Sequence, residues 1–214
     1  MIFVDVVIIF LLFTIFAFSH TWLASLNIKR ALAEKLGIKI AFYRLFYNIS
    51  SVVLFLFFYT LAPKPDVIVY DLRFPFDIIT FALQVLSLVG LWWATRPINL
   101  EEFAGTAQIG RYMRGEYKAD ELDEKQNLKI EGAFKLVRHP IYLFSILFLG
   151  FRPTMNLFYL IMFICVVIYF YIGSIYEERK LVELFGDEYK KYQTIVPRMI
   201  PIKFKTKDAK PNKL

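Results

Sequence analysis

Two short clusters hold the residue types from which a binding and transfer site can be built. The first is Arg138-His139-Pro140-Ile141-Tyr142, and the second opens with Glu177-Glu178-Arg179-Lys180-Leu181. A proline suits the first position of a helix, because its missing N–H would be unpaired there anyway. The free N–H groups of that first turn and the positive end of the helix dipole favour an anion. Arg138 adds a permanent charge and a fork of donors matched to a carboxylate. Paired glutamates can accept both hydroxyls of a ribose, as acidic residues do in dinucleotide sites. Each cluster also has a plainer reading. Arg138 and His139 are what a cytoplasmic membrane boundary collects, and Glu177 can pair with Lys180 or Lys190 on a helix running into water. What favours a site is the prospect that the fold brings the two clusters face to face.

The elements that must position them are membrane helices. The chain has 214 residues, 57% hydrophobic and 21% charged, with 23 Phe. That is more apolar material than one soluble core buries. Formal charges are absent from residues 6–28, 45–63, 78–95, 139–151 and 153–176, runs of 23, 19, 18, 13 and 24 residues. About 20 apolar residues cross a bilayer core. The expected fold is therefore all-α, a polytopic membrane bundle of about five transmembrane helices in a single membrane domain. A soluble enzyme, a disulfide scaffold and a nucleic-acid binder are excluded. The single cysteine, Cys165, lies within the last run. The first run is longer than a signal-peptide core and is expected to be retained. The net charge of +7 comes from Lys and Arg that flank the runs.

Charge placement orients the bundle. Loop one carries Lys29, Arg30, Lys35 and Lys39 against Glu34, and the C-terminal stretch ends in Lys203, Lys205, Lys207, Lys210 and Lys213. Cytoplasmic loops collect Lys and Arg. The expected arrangement has the N-terminus outside, with loop one, loop three and the basic tail inside, the tail near anionic lipid. Residues 1–96 hold three transmembrane helices, 97–137 a cytoplasmic loop, 138–202 a hairpin with a C-terminal helix, and 203–214 the tail. The hairpin turns at Arg152-Pro153. Its outgoing arm is about 18 Å long at the helical rise of about 1.5 Å per residue. That is short of a span, so a cavity in the cytoplasmic half is expected unless the arm gains length. The loop at 97–137 reads either as a lid over that cavity or as a solvated connector.

A ligand with a carboxylate, a ribose, a base and a positive centre matches this residue set, and S-adenosylmethionine is such a molecule. Its sulfonium would suit an aromatic face such as that of Tyr142. The ordered set Arg138-His139-Pro140-x-Tyr142, Glu177-Glu178-x-x-Leu181, Phe185-Gly186-x-x-Tyr189-x-x-Tyr192 and Val196-Pro197-x-x-Ile200-Pro201 resembles the integral membrane methyltransferases of the isoprenylcysteine carboxyl methyltransferase type. Phospholipid methyltransferases and some sterol reductases are similar in this half. Ser19-His20-Thr21-Trp22, Tyr43-Arg44-Leu45-Phe46-Tyr47-Asn48 and Arg152-Pro153-Thr154-Met155 resemble bacterial methanethiol S-methyltransferases. Nitric-oxide-response membrane proteins share the first of these signatures.

The resemblance implies a cytoplasmic-side S-adenosylmethionine site and methyl transfer to a small thiol. Arg138, His139, Pro140, Tyr142, Glu177, Glu178 and Tyr189 would bind the cofactor, with His139, Arg138 and Glu178 catalytic. His20, Arg179 and Tyr192 would face the acceptor, and no metal is implied. A thiol with pKa near 8.5 or above must lose its proton to react, and His139, with His20 second, is the base by residue type. His139 can alternatively bind the cofactor. Two departures stand out. Phe144 replaces a common glycine and is expected to narrow a channel. Ile195 replaces a basic residue before Val196-Pro197, which disfavours a carboxylate acceptor. Competing readings are transfer to a lipid amine or an isoprenylcysteine carboxylate, and a non-enzymatic protein or reductase on the same scaffold.

Overall fold

The computed structural model describes residues 1–120, 122, 128 and 130–202. The basic tail at 203–214 and the centre of the acidic loop lie outside the described residues. Helix α1 (Ile2–Ala24) is apolar on all sides and about 34 Å long at 1.5 Å per residue, enough for a bilayer core. An extended Ser25 separates it from α2 (Leu26–Leu36), which carries Lys29, Arg30 and Lys35. A 3₁₀ turn, Gly37–Phe42, leads into α3 (Tyr43–Leu61). Strand β1 (Ile68–Asp71) precedes α4 (Phe76–Thr95). Then come α5 (Leu100–Ala104), α6 (Thr106–Met113), α7 (Pro140–Gly150), β2 (Thr154–Asn156), α8 (Leu157–Phe185) and α9 (Asp187–Ile195).

The chain is a helical membrane bundle. Among the described residues, four stretches are long and apolar enough to cross a membrane: Ile2–Ala24, Leu26–Leu61, Phe76–Thr95 and Leu157–Phe185. The fifth apolar helix, α7, has only 11 residues, about 16 Å, and gains no length beyond the charge-free run. Its C-terminal end is followed by β2, which pairs antiparallel with β1. Thr154 Oγ1 bonds Asp71 Oδ1 at 2.6 Å, the Tyr70 hydroxyl donates to the Arg152 carbonyl at 3.1 Å, and Leu157 N donates to Val67 O at 2.8 Å. The turn at Arg152-Pro153 is thus followed by a short strand pair that charge counting does not reveal.

The two arms of the hairpin do not pack chiefly on each other. Helix α7 lies mainly along α4 and only secondarily along α8. Phe144 accounts for the close approach: a Cβ built on Gly90 would stand 2.4 Å from its ring. The ring also lies 6.4 Å from that of Trp93. Phe144 therefore fills the α4–α7 interface over a glycine rather than narrowing a channel. Helix α8 contacts α1 instead, where Ile9, Ala62, Phe158, Ile161 and Cys165 form a buried cluster.

The first part of the long segment after α4 is built rather than merely solvated. Asn99 caps α5 through Oδ1, accepting from the N–H groups of Glu101 and Glu102 at 3.1 Å each. The α5 carbonyls of Phe103 and Ala104 accept from Arg44 and Asn48 of α3 at 2.9–3.1 Å. Glu102 is buried against Arg111 and Gln108. Together with the Tyr43 hydroxyl, which donates to Leu23 O at 2.8 Å, these contacts put α5, the start of α3 and the C-terminal end of α1 at one end of the bundle.

Gly90→Ala should lower the thermal unfolding midpoint in detergent, at a cost of about 1–3 kcal/mol for overpacking, and Gly90→Ala combined with Phe144→Leu should recover much of it. A wild-type midpoint for the single variant would rule out the ring-on-glycine contact.

Candidate functional site

Helix α8 continues past the apolar run. From Leu157 to Glu177 is 20 steps, about 30 Å, which equals the hydrocarbon thickness. The two glutamates therefore fall where the helix leaves the apolar layer. Adjacent helical residues point about 100° apart, and the pair separates accordingly. The side chain of Glu178 is 3% exposed and that of Glu177 is 49% exposed.

A buried carboxylate requires donors, and Glu178 has a full set. Arg138 grips it with Nε at 2.8 Å and Nη2 at 3.1 Å, the bidentate fork that suits a carboxylate. His139 Nε2 lies 3.1 Å away, Gln193 Nε2 donates at 3.0 Å and Arg198 Nη2 at 3.1 Å. Arg138 also donates from Nη1 to the carbonyls of Gln193 (2.9 Å) and Val196 (2.6 Å) at the end of α9. The backbone N–H groups of Arg138 and His139 donate to Pro197 O and Arg198 O at 2.9 and 3.0 Å. Gly186, at φ +57°, supplies the turn that folds α9 back over this network. Arg138 and Glu178 are thus committed to one another, and neither presents a free face to a ligand.

The open part of the site is Glu177 with Tyr142. The Tyr142 hydroxyl donates to Glu177 Oε2 at 3.0 Å, and His139 Nδ1 lies 3.4 Å from the same oxygen. Tyr142 is sandwiched: His139 stacks at 5.2 Å on one face and Phe170 at 4.5 Å on the other. Its edge and hydroxyl, rather than a ring face, are what it offers. Pro140 is fully buried at the first position of α7. Burial disfavours the imidazolium of His139, yet the hydrogen bonds and charges of Glu177 and Glu178 outweigh it and lift the pKa above the ordinary value.

The remaining expected residues divide. Tyr189 and Tyr192 are buried behind the network with Val196. The Tyr192 hydroxyl donates to the Phe134 carbonyl, and burial raises its pKa to about 12. Arg179 is exposed, with its guanidinium 5.5 Å from the Tyr176 ring centroid, and is not brought into the site. His20 lies apart from the carboxylates, on a cavity of about 310 Å³ between the C-terminal parts of α1 and α8, the start of α3 and α5, lined also by Tyr47, Asn48, Lys29, Arg44 and Lys180. Arg198, Gln193, Phe170 and Tyr47 are site neighbours that the sequence reading did not single out for chemistry. Arg198 had a signal: the basic residue missing before Val196-Pro197 stands immediately after it. Among the described residues no cluster of His, Cys, Asp and Glu could hold a metal ion.

Comparison with known proteins adds an independent observation. Methanethiol S-methyltransferase 1 of Bradyrhizobium diazoefficiens is 32% identical over 201 residues, 92% of this chain and 67% of that protein. Methanethiol S-methyltransferase of Pseudomonas sp. strain GM41(2012) is 28% identical over 202 residues, 92% and 74% of the two chains. A second B. diazoefficiens protein, methanethiol S-methyltransferase 2, is 27% identical over 200 residues, 89% of this chain and 71% of that protein. No protein-family model and no solved structure matches the chain.

Two outcomes follow from the geometry. Arg138→Ala removes the bidentate partner of a buried carboxylate, which keeps Arg198, His139 and Gln193, and should cost about 1.5–3 kcal/mol, seen as a depressed unfolding midpoint. Because the folded pKa of His139 is raised, its ion-pair contribution is complete at mildly acidic pH and fades as pH rises through that value. Wild type should thus exceed His139→Gln most at roughly pH 5–6, the gap closing toward alkaline pH; a gap that widens with pH would show a neutral histidine.

Proposed function

The chain belongs to the methanethiol S-methyltransferase family, and from that premise we propose that it transfers a methyl group from S-adenosylmethionine to a small thiol, with methanethiol giving dimethyl sulfide, at the cytoplasmic boundary of the membrane. The observation that carries this reading is similarity over nine-tenths of the chain, spanning both the N-terminal signatures and the hairpin clusters. In this reading the N-terminus lies outside, with the His139 and Glu178 end of the bundle cytoplasmic, in keeping with the lysines and arginines gathered there.

The residues present suit such a cofactor. Glu177, half-exposed and held by Tyr142, is the carboxylate open to a hydroxyl or ammonium group. The first turn of α7 offers N–H donors to a carboxylate. S-adenosylmethionine, when bound, supplies an electrophilic methyl group on a sulfonium. The chain's part is to orient and to exclude water, since in-line displacement depends on positioning in a dry pocket. Glu178, Arg138, Arg198 and Gln193 hold His139 and Glu177 in place. His139, with both ring nitrogens on carboxylates, serves as a positioning and charge-balancing group at the cofactor side. Tyr189 and Tyr192 back the network, and His20 belongs to the acceptor side. A role for Arg179 at the acceptor rests on residue type alone, given its exposed position.

The test uses protein purified in detergent, methyl-labelled S-adenosylmethionine and methanethiol, with headspace detection. Labelled dimethyl sulfide is expected. Glu177→Ala should weaken cofactor binding by about tenfold or more, as loss of a charged hydrogen bond worth about 1.5–3 kcal/mol implies, and should lower the unfolding midpoint less than Arg138→Ala does, since Glu177 is half-exposed. Cofactor binding without a volatile product would move the acceptor to a lipid, and no binding at all would refute the reading.

A further inference from the structure

The chain has two histidines, and the site just described uses one of them. His139 has a carboxylate at each ring nitrogen, so it keeps no lone pair for a proton taken from the acceptor. His20 differs. It stands in the first charge-free run, where an ionisable group is costly unless it serves a purpose.

Its hydrogen bonds assign its tautomer. The Ser51 hydroxyl has a single proton and donates it to the Tyr47 carbonyl at 2.7 Å. Toward His20 Nδ1, 2.9 Å away, Ser51 Oγ can therefore only accept. Nδ1 bears the hydrogen and Nε2 the lone pair. The Tyr47 hydroxyl lies 2.8 Å from Nε2, and 3.3 Å from Nδ1, so it donates to Nε2. The result is a one-way chain, Tyr47 O–H to Nε2 and Nδ1–H to Ser51, in which the histidine can accept one more proton only through Tyr47. Both Tyr47 and His20 line the 310 Å³ cavity.

The same group connects to the carboxylate site by ring contacts. His20 lies 6.2 Å from Tyr169, whose hydroxyl meets Thr21 Oγ1 at 3.3 Å. Tyr169 lies 6.3 Å from Phe170, and Phe170 stacks at 4.5 Å on Tyr142. One aromatic ladder thus joins Glu177 and His139 at one end to His20 and Tyr47 at the other.

Resting on the reading above, we propose that the cavity walled by His20 and Tyr47 receives the acceptor thiol and that His20, through the Tyr47 hydroxyl, takes its proton. The S–H bond breaks and its proton passes to Tyr47 Oη as the phenolic proton moves to His20 Nε2. The sulfur keeps the bonding electron pair as a thiolate, the nucleophile for methyl transfer. The imidazolium then returns its proton to water by the same route. Among the described residues, the charged groups lining the cavity are Lys29 of α2, Arg44 of α3 and Lys180 of α8, each already engaged with a partner.

The experiment compares wild type, His20→Gln and Tyr47→Phe, all purified as full chains with unfolding midpoints checked. Turnover of methanethiol and of methaneselenol is followed across pH, with cofactor affinity measured separately. Both variants should lose about 10²–10⁴-fold in kcat for the thiol near neutral pH, the usual contribution of a positioned base, with cofactor affinity within about twofold of wild type. The loss should shrink as pH approaches thiol ionisation and nearly vanish for the far more acidic selenol. Ring-¹⁵N resonances should report the Nδ1-protonated tautomer of His20. Equal losses for thiol and selenol at every pH, wild-type turnover in His20→Gln, or an Nε2-protonated ring would each overturn the assignment while leaving the methyltransferase reading intact. A wild-type protein that methylates no thiol would instead defeat the functional reading itself.

Discussion

A carboxylate buried where a helix leaves the apolar layer is the constraint from which the rest of this architecture follows. Glu178 is 3% exposed at its side chain, and an ionised group there is tolerable only with donors on every side. Those donors come from three separate segments: Arg138 and His139 before α7, Gln193 within α9, and Arg198 beyond it. Satisfying one side chain therefore determines where α7 begins, how α9 folds back and why the chain past Val196-Pro197 pairs with the backbone of Arg138. Beside the readings of Arg138 as a boundary marker and as a ligand clamp, the structure gives it a part within the protein itself. It is the strut that makes the carboxylate possible and leaves Glu177 as the exposed partner.

Much of the scaffold was legible in charge-free run lengths, because a bilayer enforces a length requirement that a soluble core does not. Residues 78–95 and 6–28 mark α4 and α1 within a few positions. The charge-free run stops at Tyr176, whereas helix α8 continues to Phe185, as the reading of a helix running on into water allows. Backbone hydrogen bonding continues through charged residues as readily as through apolar ones. Strands β1 and β2 were missed for a different reason. At four and three residues each is too short to show a period, and their pairing depends on a register between segments some 85 positions apart.

The site was legible in kind but not in its internal division of labour. Residue types and spacing pointed to Arg138, His139, Tyr142, Glu177 and Glu178, and the structure gathers these five. Which glutamate is buried depends on helical phase, set by how α8 rolls against α1 and α7, and no local pattern states that. The same holds for Tyr142, whose faces are closed by His139 and Phe170, and for Phe144, whose partner Gly90 is 54 positions away.

Helix α8 is continuous over 29 residues, and that continuity has a mechanical consequence. Tyr169 and Glu177 sit eight residues apart on one rod, about 12 Å along its axis, with Tyr169 reaching toward His20 and Glu177 bonded to Tyr142. A rigid lever cannot move one of these groups without the other. The helix is about 43 Å long in all, of which the apolar part matches the hydrocarbon layer and the last turns, from Glu177 on, stand beyond it. The spacing of the two halves of the site is thus held by the helix itself, which serves as a fixed spacer between them.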